Sequence, residues 1–326
     1  MTAESRPLLQ VNDLRVYFRT GGKQLRAVDG VSFSLEKGKT LGIVGESGCG
    51  KSVACMSILR LVQSPPANYA GGEILFDGRD TLKLKEKQLR ELRGARIGMI
   101  FQEPMTALNP VYTVGQQLCE AIRLHLPLGR GEAKDLAMDL LRRVRVTDAA
   151  RVYESFPFTL SGGLRQRVMI ASALACKPDL LIADEPTTAL DVTIQSGIMA
   201  LLRRLRDETG MAVILISHDL NLVYESADHI LVMYSGRVCE YAPADALVNN
   251  PLHPYTAGLI NSRPSGSAGL ARLPAIPGNV PSLEDKPPGC PFHTRCGHAA
   301  DRCGTEAPPE TIRPGGHRVA CWRKQR

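Results

Sequence analysis

The segment Gly45-Glu46-Ser47-Gly48-Cys49-Gly50-Lys51-Ser52 decides how the rest of this sequence is interpreted. It has the pattern GxxxxGK[ST], in which glycines let backbone N–H groups curl around phosphate oxygens. The apolar stretch Thr40 to Val44 predicts a strand before the segment, and a helix is predicted from Lys51. Because a helix N-terminus carries partial positive charge, this order indicates a nucleotide phosphate site. Lys51 is expected to reach the β- and γ-phosphates, and Ser52 to offer its hydroxyl to Mg²⁺.

A second apolar stretch, Leu180 to Ala183, ends in the carboxylate pair Asp184-Glu185. By itself such a pair is ordinarily a solvated strand end. Behind a phosphate-binding loop, however, a carboxylate in this place holds Mg²⁺, which predicts that role for Asp184. Glu185 is one residue further along, where a carboxylate is suited to polarise the attacking water. The two segments together predict nucleotide hydrolysis.

The residues around these motifs predict an α/β fold. Apolar strands and helical spacing alternate along the chain: strands at Arg96 to Phe101, Val213 to Ile216 and Ile230 to Met233, helices in 113–155 and at Arg165 to Ala175. This alternation indicates a parallel sheet core. Residues 8–34 instead alternate at period two around Gly21-Gly22, which predicts a pair of antiparallel strands.

The composition fits a folded protein of one or two domains. The chain has 326 residues, 44% of them hydrophobic, and a formal net charge of +7. Since the basic residues are spread out, charge alone does not separate a mildly basic protein from one that binds nucleic acid or anionic lipid. No apolar run reaches the roughly 18 residues of a membrane span, and the N-terminus lacks the apolar core of a signal peptide. We therefore expect a cytosolic chain whose nine cysteines are free thiols or metal ligands.

The composition changes near residue 264, where Pro and Gly become frequent and helical or strand periodicity disappears. We place a domain boundary there, with residues 1–263 as a nucleotide-binding domain and residues 264–326 as an irregular extension. A helical subdomain is expected at about residues 105–165 of the first domain. No internal repeat is evident, which indicates one nucleotide-binding unit in the chain.

The segment Leu160-Ser161-Gly162-Gly163-Leu164-Arg165-Gln166-Arg167 separates this sequence from other phosphate-loop proteins. Ser161 is suited to cap the following helix while the two glycines bare its N–H groups, which makes a second anion-binding helix end. The segment resembles the LSGGQxQR signature of ATP-binding cassette (ABC) proteins, with Leu164 where Gln is commonest. The resemblance implies an ABC-type P-loop NTPase core with an antiparallel β subdomain and a helical signature subdomain, here followed by an irregular Cys-containing C-terminal extension.

The resemblance also implies where ATP binds. In this family ATP lies between the phosphate loop of one subunit and the signature of another, so a head-to-tail dimer is expected. The implied ATP-contacting residues are spread over several motifs: Phe18, Gly45, Ser47, Gly48, Cys49, Gly50, Lys51, Ser52, Val53, Ser161, Gly162, Gly163, Gln166 and Asp191.

Further segments follow in the order of the family. Phe101-Gln102-Glu103-Pro104 is similar to the Q-loop, Ala189-Leu190-Asp191 to the D-loop and Ser217-His218-Asp219 to the switch region. The resemblance implies Glu185, His218 and Gln102 as catalytic residues, and Ser52, Gln102 and Asp184 as the Mg²⁺ site. Phe18 aligns with the aromatic residue that stacks on adenine, although Tyr17 is adjacent and a strand aromatic usually belongs to the core.

Three segments resemble one subfamily, the ATPases of oligopeptide and dipeptide importers: Phe101 to Pro110, Asp184 to Ile194 and Asn250 to Thr256. The resemblance implies an ATPase at the cytoplasmic face of the inner membrane, held there by two transmembrane permease subunits. An extracytoplasmic solute-binding protein delivers the solute to these permeases. It also implies a second ATP-binding subunit, which is usually a paralogue, and hence a heterodimer. Importers of nickel chelates, glutathione and other small solutes share these segments, so the solute stays open.

Functions of two other classes fit the sequence less well. A soluble ABC ATPase acting on nucleic acid or the ribosome suits the basic charge, but it predicts two nucleotide-binding units or a long coiled-coil insertion, and neither is evident. A pure interaction module with a dead site is opposed by Lys51, Asp184, Glu185 and His218, which are all of the expected types. We therefore expect a transporter ATPase without a nucleic-acid partner.

Cys290, Cys296, Cys303 and Cys321 lie in the extension, which has little apolar material to bury and needs a tie to order it. Disulfides are disfavoured in the cytosol, whereas thiolates can bind a metal and couple its binding to folding. The spacing matches neither the CxxC pairs of zinc sites nor the ferredoxin runs, so it leaves zinc, an iron–sulfur cluster and no metal open. The resemblance to peptide-importer ATPases implies a [4Fe–4S] cluster of structural role, with Zn²⁺ as the alternative.

Cys49 is a further candidate because it lies inside the phosphate loop, where the resembled family commonly has Ser. Thiols near a helix N-terminus and a lysine tend to have a lowered pKa. We expect Cys49 to react with maleimide and MgATP to protect it, the alternative being that Cys49 only fills space.

Overall fold

The computed structural model describes residues 6–188, 190–262 and 275–324, and the chain divides into two compact units. Unit 1 comprises residues 1–36, 40–82 and 216–326, and unit 2 comprises residues 37–39 and 83–215. The predicted boundary at residue 264 lies outside the described residues. The extension belongs to unit 1, as the phosphate loop does, although its composition sets it apart.

The strands have the following bounds: β1 Leu9–Thr20, β2 Lys23–Leu35, β3 Thr40–Val44, β4 Ala67–Phe76, β5 Arg79–Asp80, β6 Ile97–Ile100, β7 Leu180–Asp184, β8 Ala212–Ser217, β9 His229–Tyr234, β10 Arg237–Pro243, β11 Thr311–Arg313 and β12 His317–Val319. The helices are α1 Lys51–Ile58, α2 Glu86–Leu92, α3 Pro104–Ala107, α4 Val114–His125, α5 Arg130–Arg143, α6 Ala149–Glu154, α7 Gly162–Ala173, α8 Val192–Thr209, α9 Leu220–Tyr224, α10 Ala244–Asn249, α11 Pro254–Asn261 and α12 Asp301–Thr305.

Unit 1 contains an antiparallel sheet in the order β2-β1-β4-β5. Strands β1 and β2 pair from Leu9↔Leu35 to Thr20↔Lys23, which confirms the predicted hairpin. Its turn falls at Gly21 and Gly22, whose positive φ angles of 56° and 76° suit glycine. Alternate residues of β1 are buried, so one face of this sheet packs on the core of the unit.

A second set of strands in unit 1 runs in the order β11-β12-β10-β9-β3. Strand β3, which leads into the phosphate loop, is parallel to β9 from Leu41↔His229 to Val44↔Val232. Strands β10 and β12 are antiparallel, as are β12 and β11. The extension was expected to be irregular, but β12 pairs with the core strand β10. Three-residue strands are too short to show a period in sequence, which is why they were missed.

Unit 2 contains β6 and β7 as parallel neighbours, with Ile97 beside Leu180 and Ile100 beside Ala183. The predicted helical insert at residues 113–155 is confirmed as α4, α5 and α6. Helix α4 begins at a capping box in which Thr113 Oγ1 accepts from the Gln116 amide while Gln116 Oε1 accepts from the Thr113 amide. Among the described residues, no helix combines the length and the apolar character that crossing a membrane requires.

Candidate functional site

The phosphate loop connects β3 to α1 and has a backbone that only glycine can adopt at two points. Gly45 and Gly50 have φ angles of 154° and 98°. A Cβ atom at Gly45 would lie 2.3 Å from the Met233 carbonyl oxygen, and one at Gly50 would lie 2.3 Å from that of Ala27. The two glycines of the motif therefore let the loop close tightly against β2 and β9.

Lys51 lies inside this loop, with only 5% of its surface exposed. Its Nζ donates to the carbonyl oxygens of Gly45 at 2.8 Å and Glu46 at 3.0 Å. The loop thus holds a buried ammonium group at its centre, at the N-terminus of α1. This arrangement concentrates positive charge where a phosphate chain is expected to bind.

Cys49 is completely buried in the loop, 3.8 Å from Lys51 Nζ. Burial raises the pKa of its thiol despite the lowering effect of Lys51. The prediction that the Cys49 thiol has a lowered pKa is therefore wrong, and with it the reason to expect reaction with maleimide. Desolvation outweighs the nearby charge because no water reaches the sulfur to stabilise a thiolate.

Glu46 is a position of the phosphate loop that the motif pattern leaves unspecified, and distant residues contact it. Its backbone N–H donates to Tyr255 Oη at 2.9 Å, and its carboxylate oxygens each accept from Arg295 Nη1 at 3.0 Å. Tyr255 belongs to the segment Asn250 to Thr256, which already carried the subfamily resemblance. The Arg295 contact spans 249 residues of sequence, so no local pattern could have revealed it.

Tyr17 and Phe18 differ in their surroundings. Tyr17 is buried, and its hydroxyl donates to Asp29 Oδ1 at 2.8 Å, whereas Phe18 is only half-buried. Tyr17 is thus committed to the interior of unit 1, while Phe18 keeps an open face. Phe18 therefore has the more accessible ring of the two, and its stacking on adenine stays a prediction.

In unit 2, Asp184 ends β7 and is 4% exposed, and the half-buried Glu185 follows it with a φ of 46°. A left-handed backbone at a residue other than glycine stores strain, and such strain is common at active sites. Glu185 Oε2 accepts from Thr188 Oγ1 at 2.8 Å and from Gln102 Nε2 at 3.4 Å. Two residues predicted separately, Glu185 and Gln102, therefore lie side by side. Thr188 was not singled out.

The signature segment begins α7 at Gly162, three residues before the predicted start. Ser161 caps the helix, with its Oγ accepting from the Leu164 amide at 3.4 Å, as expected. The low helix propensity of the two glycines concealed this start. Gln166 is 2% exposed, and its Nε2 has no hydrogen-bond partner among the described residues. Its predicted ATP contact stays a prediction that its burial does not favour.

The D-loop and the switch region occupy helix starts. Asp191 caps α8 by accepting from the Ile194 amide at 2.9 Å; Ala189 lies outside the described residues. His218 is exposed directly after β8, and Asp219 caps α9. Unit 1 thus holds the phosphate loop, Phe18 and His218. Unit 2 holds Gln102, the signature, Asp184, Glu185 and Asp191.

The four cysteines of the extension, Cys290, Cys296, Cys303 and Cys321, line one small cavity. The Cys290 amide donates to the Cys303 carbonyl at 2.8 Å. Burial raises the pKa of the Cys290 thiol to about 11, and the other three thiols add to the effect. Among residues 6–188, 190–262 and 275–324, however, no group of three or more His, Cys, Asp or Glu side chains is arranged to hold a metal ion.

Comparison with known proteins identifies two family patterns. The pattern described as ABC transporter matches residues 28–188, and the one described as oligopeptide/dipeptide transporter, C-terminal region, matches residues 239–303. A probable peptide ABC transporter ATP-binding protein of Sinorhizobium fredii is 50% identical over 97% of this chain and 95% of its own. The oligopeptide transport ATP-binding protein OppD of Salmonella typhimurium is 46% identical over 97% of this chain and 93% of its own.

Solved structures agree with this relationship. A bacterial ABC transporter cassette solved as a dimer superposes with a TM-score of 0.66 at 28% identity, covering 72% of this chain and 98% of that one. The cbiO1 protein of Clostridium perfringens, part of an ABC transporter complex, superposes with a TM-score of 0.64 at 27% identity, covering 75% and 91%. The expected ABC-type fold is therefore confirmed.

Proposed function

Because this chain belongs to the ATP-binding subunits of peptide ABC importers, we propose that its phosphate loop, its Asp184-Glu185 pair, its signature and its switch region carry out the ATP hydrolysis that energises peptide uptake. The single observation that carries the assignment of roles is Lys51, buried at the start of α1 and bonded to two carbonyls of its own loop. A buried ammonium group that its own loop holds in place is a preformed site for a polyphosphate.

The phosphate chain of ATP binds in the loop from Gly45 to Val53, and its adenine stacks on Phe18. Lys51 binds the β- and γ-phosphates. Ser52, Asp184 and Gln102 hold Mg²⁺, since hydroxyl, carboxylate and amide oxygens are the hard ligands this ion prefers. When bound, Mg²⁺ neutralises charge that develops on the phosphates.

Glu185 accepts the proton of the attacking water as general base. The hydrogen bond from Thr188 fixes one of its oxygens, and Gln102 is close enough to orient the same carboxylate. His218 donates to the γ-phosphate as charge develops there. Little covalent work falls to the protein, because phosphoryl transfer depends mainly on positioning and electrostatics.

A second ATP-binding subunit completes each site. Ser161, Gly162 and Gly163 of one subunit, together with Asp191, contact ATP held by the phosphate loop of the other. The start of α7 at Gly162 supports this role, because the first N–H groups of a helix have no partner within the helix and Ser161 caps that of Leu164. The partner is a paralogue, so the assembly is a heterodimer with two ATP sites.

Permease subunits dock on unit 2 close to Gln102. Four large apolar side chains are exposed in this part of the chain: Phe101, Met105, Val111 and Tyr112. An exposed apolar patch of this kind indicates a protein interface. Two transmembrane permeases bound there hold the chain at the cytoplasmic face of the inner membrane, and an extracytoplasmic binding protein supplies the solute. Oligopeptides or dipeptides are the solute, with nickel chelates, glutathione or another small solute as the alternative.

The four thiols that line one cavity of the extension would hold a [4Fe–4S] cluster, with Zn²⁺ as the alternative. The support is the convergence of Cys290, Cys296, Cys303 and Cys321 on one cavity, since four thiols brought together in this way can bind a metal ion or cluster. A cluster there would cross-link the extension. Because no three or more ligand side chains among the described residues are arranged to hold a metal ion, cluster binding requires these turns to move.

Anaerobic purification tests the cluster. We expect brown protein with about four irons per chain, and Cys296→Ser should lose both the colour and the protease resistance of the extension. The matched control is Cys176→Ser, which removes a half-buried thiol of unit 2. Colourless anaerobic protein with stoichiometric zinc would replace iron by zinc, and a protease-resistant extension without metal would exclude both.

Reconstitution tests the ATPase assignment. The purified chain alone should hydrolyse ATP slowly, and adding permeases, the second ATPase and peptide-loaded binding protein should raise the rate, since signature and phosphate loop come from different subunits. Full activity of the pure chain as a monomer at high dilution would contradict this division of the site. Uptake of labelled peptide into vesicles, competed by unlabelled peptide but not by nickel chelates or glutathione, tests the solute.

A further inference from the structure

Glu46 has all three of its polar groups engaged. The backbone carbonyl accepts from Lys51 Nζ at 3.0 Å, and the backbone N–H donates to Tyr255 Oη at 2.9 Å. The carboxylate is paired with Arg295, which lies in the extension. One residue of the phosphate loop is therefore held at once by the phosphate-binding lysine and by two side chains from beyond residue 250.

Arg295 is itself fixed on every side. Its side chain is 5% exposed, and besides Glu46 its Nη1 donates to Tyr234 Oη at 3.2 Å. Its Nε donates to the Pro277 carbonyl at 2.7 Å and its Nη2 to the Ile276 carbonyl at 3.4 Å. A guanidinium held through all three nitrogens has one orientation, so the carboxylate that it binds is fixed as well.

Three aromatic rings pack together beside these contacts. The ring centroids of Tyr234 and Tyr255 lie 4.7 Å apart, and Phe292 of the extension lies 5.3 Å from each of them. Tyr234 and Tyr255 supply the hydroxyls that bond Arg295 and Glu46. The extension therefore contributes both a charged and an apolar part to the support of the phosphate loop.

We propose that Arg295 is a positioning residue for ATP binding, which acts through Glu46 to hold the phosphate loop and Lys51 in the conformation that accepts the phosphates. The inference rests on the proposed ATPase site and names a residue outside its motifs. The C-terminal extension is then a structural part of the nucleotide site. Since Arg295 does not touch the reacting atoms, it supports substrate and transition state equally, and its loss raises KM for ATP with little change in kcat.

The test compares variants in the full-length chain, assembled with its transporter partners. Arg295→Met keeps much of the side-chain volume but removes the ion pair, Glu46→Gln removes the charge from the other side, and the double variant removes both. We expect each single variant to raise KM for ATP about tenfold with kcat within about twofold, because a buried charge pair is lost. The double variant should raise KM no further, since both act through one contact. Arg295→Lys restores the charge without the fork and should recover part of the affinity.

The control is Arg318→Ala, which removes another extension arginine that contacts the core of unit 1. Arg318 donates to the Ser32 carbonyl at 3.2 Å and stacks on Tyr241, and neither of these residues belongs to the phosphate loop. This variant should lower the thermal midpoint yet leave KM unchanged.

Three results would overturn the proposal. They are a wild-type KM in both Arg295→Met and Glu46→Gln, additive effects in the double variant, or an equal rise in Arg318→Ala. If Arg295→Met does not fold, Glu46→Gln and Arg295→Lys still decide the question. A wild-type assembly that neither binds nor hydrolyses MgATP would instead defeat the ATPase assignment itself.

Discussion

The phosphate loop and the segment around Glu185 both follow a buried strand, yet they are held in opposite ways. Lys51 is buried and bonded to its own loop, and Arg295 and Tyr255 brace the neighbouring Glu46. Glu185 is half-buried, sits in a left-handed backbone and shares a 3.4 Å hydrogen bond with the exposed Gln102. The proposed phosphate site is thus held by buried contacts, whereas Glu185, the proposed base, is held by Thr188 and by the longer contact with Gln102. A transporter whose hydrolysis answers to its partners needs that division.

The largest effect should come from Glu185→Gln. We expect ATP to bind with wild-type affinity while kcat falls about a thousandfold, because the amide cannot take the proton of the attacking water. The variant should also accumulate an ATP-bound dimer, measurable by size-exclusion chromatography with radiolabelled ATP.

The control for that variant is Glu208→Gln, which removes an exposed carboxylate of α8 paired with Arg143 and Arg204. Its turnover should stay near wild type, because exposed pairs contribute little. Near-normal turnover of Glu185→Gln in the assembled transporter would exclude Glu185 as the base. The comparison between the phosphate loop and the segment around Glu185 would then no longer hold.

The preorganised side is tested by Lys51→Gln, the next largest effect. Removing the buried ammonium should weaken ATP binding about a hundredfold, because its charge-assisted contacts with the phosphates are lost. Fluorescent-nucleotide displacement measures the affinity. Lys23→Gln, which removes a 67% exposed side chain paired with Glu284, is the control and should bind like wild type. Equal affinities of Lys51→Gln and wild type would show that the loop backbone alone binds phosphate.

A smaller effect is expected for Thr188→Val. The Thr188 hydroxyl donates the 2.8 Å hydrogen bond to Glu185 Oε2. Hydrogen bonds to charged groups contribute about 1.5–3 kcal/mol of stabilising free energy. The variant should lower kcat about tenfold without raising KM, because only the orientation of the carboxylate changes. Thr209→Val, whose hydroxyl donates to the Leu205 carbonyl, is the control. A change in KM but not in kcat would place Thr188 in nucleotide binding instead.

The sequence predicts the parts of this site in which function imposes a local pattern. GxxxxGK[ST] fixes the loop because its glycines and Lys51 act within eight residues, and the apolar stretch before Asp184 fixes β7. The contact between Arg295 and Glu46 could not be predicted, since it joins distant positions and neither residue type is unusual at its place. The short strands β11 and β12 are not predictable for a similar reason: β12 pairs with β10 and β11 pairs with β12, and this pairing stabilises them more than their own residues do.

Local chemistry also misleads where burial decides. A lysine and a helix N-terminus predict a lowered pKa for the Cys49 thiol, but only the folded chain shows that water is excluded from it. Burial also distinguishes Tyr17 from Phe18, which adjacent positions in one strand could not separate: Tyr17 is buried and Phe18 is half-buried. Both outcomes depend on burial, which arises only when distant segments of the chain pack together.

The smallest effect concerns Cys49 and tests that closure. Because burial raises the pKa of its thiol, Cys49 should stay protonated at pH 7.5 and react with maleimide at least about tenfold more slowly than an accessible cysteine. The half-buried Cys119 should label faster than Cys49, which should stay nearly unlabelled until denaturant is added. Peptide mass spectrometry locates the labels, and Cys49→Ser should keep ATPase activity near wild type, since the thiol only fills space. Rapid labelling of native Cys49 that MgATP prevents would mean that the loop opens in solution, and the phosphate site would then be no more preorganised than the carboxylate.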